Sequence, residues 1–197
     1  MTIALILPMI AFALAASISP GPVNLVCLSS GTRYPIHKGL IFVTGATLGF
    51  IALFITIGLG LYSVLIAVPA FNAFLHWAGI AFLVYLSIQL FRDNGRIDED
   101  EQQSAPGFIT GVIMQWLNPK AWLASASGIG AYTSGDNLSE ILIFASLYLP
   151  ICWLSLSCWV YAGAFLRRYI QQPTVLISVN RILASLLLAS CIFLIIE

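Results

Sequence analysis

The sequence predicts an all-α, polytopic membrane protein: six transmembrane helices in a 3+3 inverted repeat, with helices one and four broken inside the membrane. Three observations predict it. Of the 197 residues, 60% are hydrophobic and 8% charged, with a mean hydropathy of +0.98, a composition that excludes an ordinary soluble domain. Residues 1–32 and 39–91 contain no Asp, Glu, Lys or Arg. The second stretch is more than twice the roughly 20 residues of one crossing, so it folds back. Finally, "SISPGPVNLV" (17–26) and "QWLNPKAWL" (115–123) put helix-breaking prolines at matching places half a chain apart.

Apolar runs bounded by turn residues and charges give spans over 2–28, 39–66, 73–91, 108–132, 138–165 and 174–196. The first contains "ALAAS", which looks like a signal cleavage site, but no Lys or Arg precedes the apolar run and it is expected to stay in span one. A turn over 69–72, with Pro69 and Asn72, is expected to reverse the chain into span three. The segment "RDNGRIDEDEQQSAPG" (92–107) is the one obvious linker, and its acidic run 98–101 reads as a solvated loop. It divides a single membrane domain, 1–197, into repeats 1–91 and 108–197. Span six must begin before Arg181, since 182–196 alone is too short to cross; the Arg181 side chain then snorkels to the interface.

Cations set the orientation. Arg33 and Lys38 lie between spans one and two, Arg92 and Arg96 between three and four, and Arg167, Arg168 and Arg181 around the last link; the opposite side has none. The positive-inside rule therefore predicts both termini external, in the periplasm if the membrane is a bacterial inner one. A net charge of zero leaves no basic patch for nucleic acid. Cys27, Cys152, Cys158 and Cys191 sit in apolar runs as packing residues, and His37 and His76 read as interfacial. Gly45 and Gly49 have the spacing of a close helix contact. The Trp and Tyr residues, Tyr148 included, supply aromatic belts, although Trp116 and Trp122 flank the second break and are candidates to line a cavity.

The eighth cation, Lys120, lies midway along span four. Ser19 and Asn118 are good N-caps, and each directly precedes a proline suited to the first position of a new helix. Three spans per half is an odd number, so the second half enters the membrane inverted. The half-helices after Pro20 and Pro119 would then point their N-termini at each other near the bilayer centre. Such paired breaks are the pattern of a transport site. Ser19, Pro20, Gly21, Pro22, Asn24, Asn118, Pro119 and Lys120 are the residues expected to bind a small solute, with an anionic group such as a carboxylate at Lys120. No cofactor is expected.

"SPGPVN" in span one, "GATLG" in span two, "HWAGIAFLVYLSIQLFR" (76–92) and "GFITGVIMQWLNPKAWL" (107–123) resemble the LysE-type translocators, which include lysine and homoserine/threonine exporters. The resemblance covers nearly the whole chain. It implies a bacterial inner-membrane exporter of an amino acid or similar zwitterion, coupled to protons, with Pro20, Gly21 and Pro22 as the family's Pro-Gly-Pro and Asn118, Pro119 and Lys120 as its Asn-Pro-Lys. Two departures stand out: Phe50 occupies a place where many members are acidic, and Leu183 and Ala184 replace the usual glycine after "NRI". With no acidic residue in the spans beyond Glu140 at the start of span five, Lys120 itself is the expected proton carrier. The sequence is compatible with a monomeric bundle or a homodimer. Two other readings remain. A metal-ion exporter would need clustered ligands, and Cys152 and Cys158 do not share a helix face. An intramembrane enzyme would pair Lys120 with Ser125 or Ser127.

Overall fold

The computed structural model describes residues 5–61, 69–92, 105–133, 137–169 and 173–196. These residues fold into α1 (Ile6–Ile18), α2 (Pro22–Arg33), α3 (Ile36–Thr56, extended by a π-helical turn over Ile57–Leu61), α4 (Pro69–Phe91), α5 (Phe108–Trp116), α6 (Pro119–Tyr132), α7 (Leu138–Tyr169) and α8 (Pro173–Ile196). Proline opens four of them: Pro22, Pro69, Pro119 and Pro173 stand at first helical positions, where the missing amide hydrogen has no intrahelical acceptor to lose. This corrects the turn expected at 69–72, because Pro69 starts α4 rather than reversing the chain. Residues 62–68, which precede α4, and the acidic run 98–101 lie outside the described residues.

By length and composition, Ile36–Leu61 and Leu138–Arg167 are each apolar enough to cross a membrane, and α1 with α2 forms a third candidate, bent by 60°. The apolar stretches Trp77–Phe91 of α4 and Ile177–Ala189 of α8 are shorter. Helices α3 and α7 lie at the centre and pack on each other. Helices α1 and α2 pack against α7, α5 and α6 against α3, and α4 against α8. Outward-facing Leu7, Leu59, Ile109 and Leu123 are all more than half exposed, as a surface solvated by lipid tails allows.

Glycines set the closest approaches. A methyl group at Gly45 would overlap the carbonyl of Phe108, and one at Gly111 would overlap that of Phe42, so α3 and α5 touch backbone to backbone. Gly45 faces Phe108 and Gly49 faces Val112, so the two helices run in the same direction. Gly31 and Gly163 do the same for α2 and α7, each lying against the other helix's main chain. Between α1, α3, α6 and α7 the core is aromatic: Phe12, Phe50, Phe54, Tyr132, Phe144 and Tyr148 meet with ring centroids 4.6–6.5 Å apart. Each such pair adds about 0.5–1.5 kcal/mol beyond its burial. Tyr148, 1% exposed, thus belongs to the core and not to an interfacial belt. Arg181 lies over the ring of Phe91, 5.6 Å from its centroid, at the end of α4.

Candidate functional site

The two breaks meet. Ser19 closes α1 with extended backbone (φ −63°, ψ 139°), Pro20 and Gly21 carry the chain across the gap, and α2 starts at Pro22. In the second half α5 ends at Trp116, and α6 starts at Pro119 with Asn118 as its N-cap; the Asn118 Oδ1 accepts from the Lys120 amide at 3.2 Å. From the first turn of α6 the Lys120 side chain crosses to the first break. Its ammonium donates to the Ser19 carbonyl at 2.6 Å, to the Ser19 hydroxyl at 2.8 Å and to the Pro20 carbonyl at 3.4 Å. A cation therefore sits on the C-terminal end of α1, where the helix dipole is negative.

This geometry corrects one expectation. Asn118 caps its half-helix, but Ser19 does not: the N-cap of α2 is Gly21, and the helix opens at Pro22 rather than Pro20. Two prolines flank one glycine here, and the second already stands at the first helical position, which leaves Pro20 and Gly21 outside both helices. The Gly21 backbone (φ −167°, ψ 176°) suits any residue. What glycine provides is room, since a methyl group there would lie 3.1 Å from Lys120 Cδ and 3.3 Å from Nζ.

A cleft of about 40 Å³ lies beside the junction, bordered by Asn24, Asn118 and Lys120 of the expected residues. Ser19, Pro20, Gly21, Pro22 and Pro119 shape the breaks without bordering it. Asn24 is 4% exposed, and its amide donates to the Ser17 carbonyl at 2.9 Å, tying α2 back to the last turn of α1. Trp116 and Trp122 do not line the cleft. The Trp122 indole donates to the Trp116 carbonyl at 2.7 Å and so staples the second break, with the two rings edge to face.

The rest of the wall was not singled out as a site by the sequence reading. Gln115 adds a second amide from α5, Ser17 a hydroxyl from α1, and Phe50, Tyr148 and Cys152 close the cleft from α3 and α7. Phe50 and Tyr148 meet at 4.6 Å between centroids with their rings tilted by 50°, and Cys152 accepts from the Thr47 hydroxyl at 3.9 Å. Gln115 had a signal, an amide three residues before the N-cap asparagine. Tyr148 and Cys152 had none, because only the packing of α7 on α1 brings them here. Among the described residues, Lys120 is the one charged residue bordering the cleft. Among the described residues, no three His, Cys, Asp or Glu side chains come together as a metal site would require.

A helical, apolar fold in which a broken helix meets a half-buried lysine has the pattern of a small-solute transporter. The chain belongs to the LysE type translocator family, whose model matches residues 14–197. It is therefore a transporter and not an enzyme, and the pairing of Lys120 with Ser125 or Ser127 is set aside. The cysteine/O-acetylserine efflux protein of Escherichia coli O157:H7 is 27% identical over 82% of this chain and 83% of its own length. Its counterparts in Escherichia coli K12 and Shigella flexneri serotype 5b are 26% identical over the same shares. No solved structure matches the chain.

Proposed function

We propose that this protein is a secondary-active exporter of a small amino acid, of the cysteine or O-acetylserine class, across a bacterial inner membrane. The observation that carries the reading is the Lys120 ammonium on the Ser19 carbonyl, beside a cleft walled by two amides. The first break offers both ends of a helix dipole: carbonyls of Ser19 and Pro20 at the end of α1, and amides at the start of α2. A zwitterion fits such a place. Its ammonium takes over the carbonyls that Lys120 now occupies, and its carboxylate takes the freed Lys120 and the α2 amides. Phe50, Tyr148 and Cys152 then face a short side chain.

Helix pairing supports the 3+3 inverted repeat (1–91 and 108–197, linked by 92–107). Helix α1 packs on α7 as α5 packs on α3, and α2 packs on α7 as α6 packs on α3; exchanging the halves maps one set onto the other. The cleft is narrow, holding little more than a few waters, so a solute requires the halves to part. That supports alternating access by one repeat rocking on the other. Lys120 is the group we assign to proton coupling, since among the described residues it is the one titratable cation in the cleft. The seven remaining cations put the side bearing Arg33, Arg92 and Arg167 in the cytoplasm.

The test is efflux of labelled L-cysteine and O-acetyl-L-serine from loaded proteoliposomes, with and without an imposed pH gradient. Saturable efflux that the gradient accelerates is expected. Efflux no faster than from protein-free liposomes would reject the reading.

A further inference from the structure

Ala16 of α1, Phe50 of α3, Ala124 of α6 and Tyr148 of α7 border the cleft at Lys120. One turn along the same faces of these helices stand Phe12, Phe54, Gly128 and Phe144. The four meet. A methyl group at Gly128 would lie 3.1 Å from the Phe12 ring, 3.3 Å from that of Phe144 and 3.4 Å from that of Phe54. Three rings from three helices therefore close over the one residue of the fourth that has no side chain. Phe54 and Phe144 pack edge to face with centroids 5.1 Å apart, and Phe12 and Phe144 with centroids 6.3 Å apart. Neither Phe54 nor Phe144 has any exposed surface. Tyr132, one turn beyond Gly128, adds its ring against Phe12 and Phe144, 5.6 Å from each.

Three features separate this plug from plain core packing. Tyr148 belongs to both spaces: its ring borders the cleft and also packs on Phe12, Phe54 and Phe144, at 6.5, 5.5 and 5.6 Å between centroids. The Ser125 hydroxyl is buried without a hydrogen-bond partner among the described residues, and it lies on the face of α6 that runs from Ala121 at the cleft to Gly128 under the rings. An unmatched hydroxyl is costly in a dry seam, whereas a polar solute passing along that face would satisfy it. Finally, the plug lies toward the cation-free side, because Phe54 is near the end of α3 and Phe144 near the start of α7, with Lys38 and Arg167 at the opposite ends of those helices. That is the exit side of the proposed exporter.

We infer that Phe12, Phe54 and Phe144, closed over Gly128, are the exit gate of the exporter, an aromatic plug one turn beyond the Lys120 cleft that is shut in this structure and parts to release the amino acid. The inference rests on the proposed export function. It separates the barrier, made of rings, from the binding groups around Lys120. Truncating a ring should open the cleft to the exit side and release transport from control by the proton gradient, with little effect on solute affinity.

Cys152 reports the opening, since it borders the cleft. The experiment adds a membrane-impermeant, charged methanethiosulfonate outside sealed vesicles whose Arg33-bearing face is inward, and reads modification of Cys152 by peptide mass spectrometry. Wild type is compared with Phe144→Ala, with Phe12→Ala, which removes a ring that is only partly buried, and with Phe144→Leu, which keeps most of the bulk. Both alanine variants should react at least about tenfold faster than wild type, and Phe144→Leu should stay within about threefold. In the same vesicles, efflux of labelled O-acetyl-L-serine should lose its acceleration by a pH gradient in the alanine variants, while half-saturation stays within about twofold of wild type. Unchanged reactivity of Cys152 in the alanine variants would overturn the gate and leave the export function standing. A lower melting midpoint with reactivity and gradient dependence both as in wild type would also overturn it, by reducing the rings to core packing. Wild-type protein that moves no amino acid would remove the export function and the gate together.

Discussion

The Lys120 ammonium sits 2.6 Å from the carbonyl oxygen of Ser19, a residue 101 positions earlier in the chain. This bond joins the two helix breaks and holds a cation against the end of α1, where no carboxylate borders the cleft among the described residues. Charge-assisted bonds of this type contribute about 1.5–3 kcal/mol each.

Lys120→Met should cut efflux at least about tenfold, because it removes the ammonium and its charge-assisted bonds to Ser19 and Pro20. Lys120→Arg should not restore it, since the larger planar head has no room beside Gly21. Efflux normalised to protein in the membrane fraction checks both, and full activity in Lys120→Met would remove Lys120 from the mechanism.

Gly21→Ala separates room from backbone freedom. The extended backbone accepts alanine, but the new methyl lies 3.1 Å from Lys120 Cδ, so the lysine must shift by a few tenths of an ångström. Efflux should fall several-fold with a stability change under about 1.5 kcal/mol. Comparing transport rates with melting in detergent tests the split; a large loss of stability with normal specific activity would contradict it.

Gly111→Val should act oppositely, on assembly rather than chemistry. Its side chain meets the main chain of α3 at Phe42 and Ala46, where no rotamer relieves the overlap. Destabilisation of about 1–3 kcal/mol or more is expected, read as a lower melting midpoint and reduced yield of folded protein. Gly130→Val, which meets nothing within 4 Å, is the matched control for added bulk.

Trp122→Phe tests the staple on the second break. It keeps the ring but loses the 2.7 Å bond to the Trp116 carbonyl, at a cost of about 1 kcal/mol. Because neither tryptophan borders the cleft, half-saturation for the solute should stay within about twofold of wild type, less than 0.5 kcal/mol in binding. A large change in half-saturation would return these residues to the cavity wall.

The amino-acid sequence by itself determined the solvent this protein lives in and where its helices break. An apolar composition poor in charge requires every backbone polar group to be satisfied within helices, and proline suits the first position of a helix better than its interior, so the segment Pro20 to Pro22 and Pro119 mark breaks from local chemistry alone. Asn118 is legible as a cap for the same reason, whereas Ser19 misled because Pro20 and Pro22 are equally good openers and only the fold chooses between them. The tertiary structure alone decided what the breaks face. That Lys120 lands on Ser19, that Phe50, Tyr148 and Cys152 complete the cleft, and that Phe12, Phe54 and Phe144 close over Gly128 all depend on helices distant in sequence crossing at glycines. Such crossings are set by the fit of two surfaces, and that fit is a property of the pair, written in neither strand of sequence by itself.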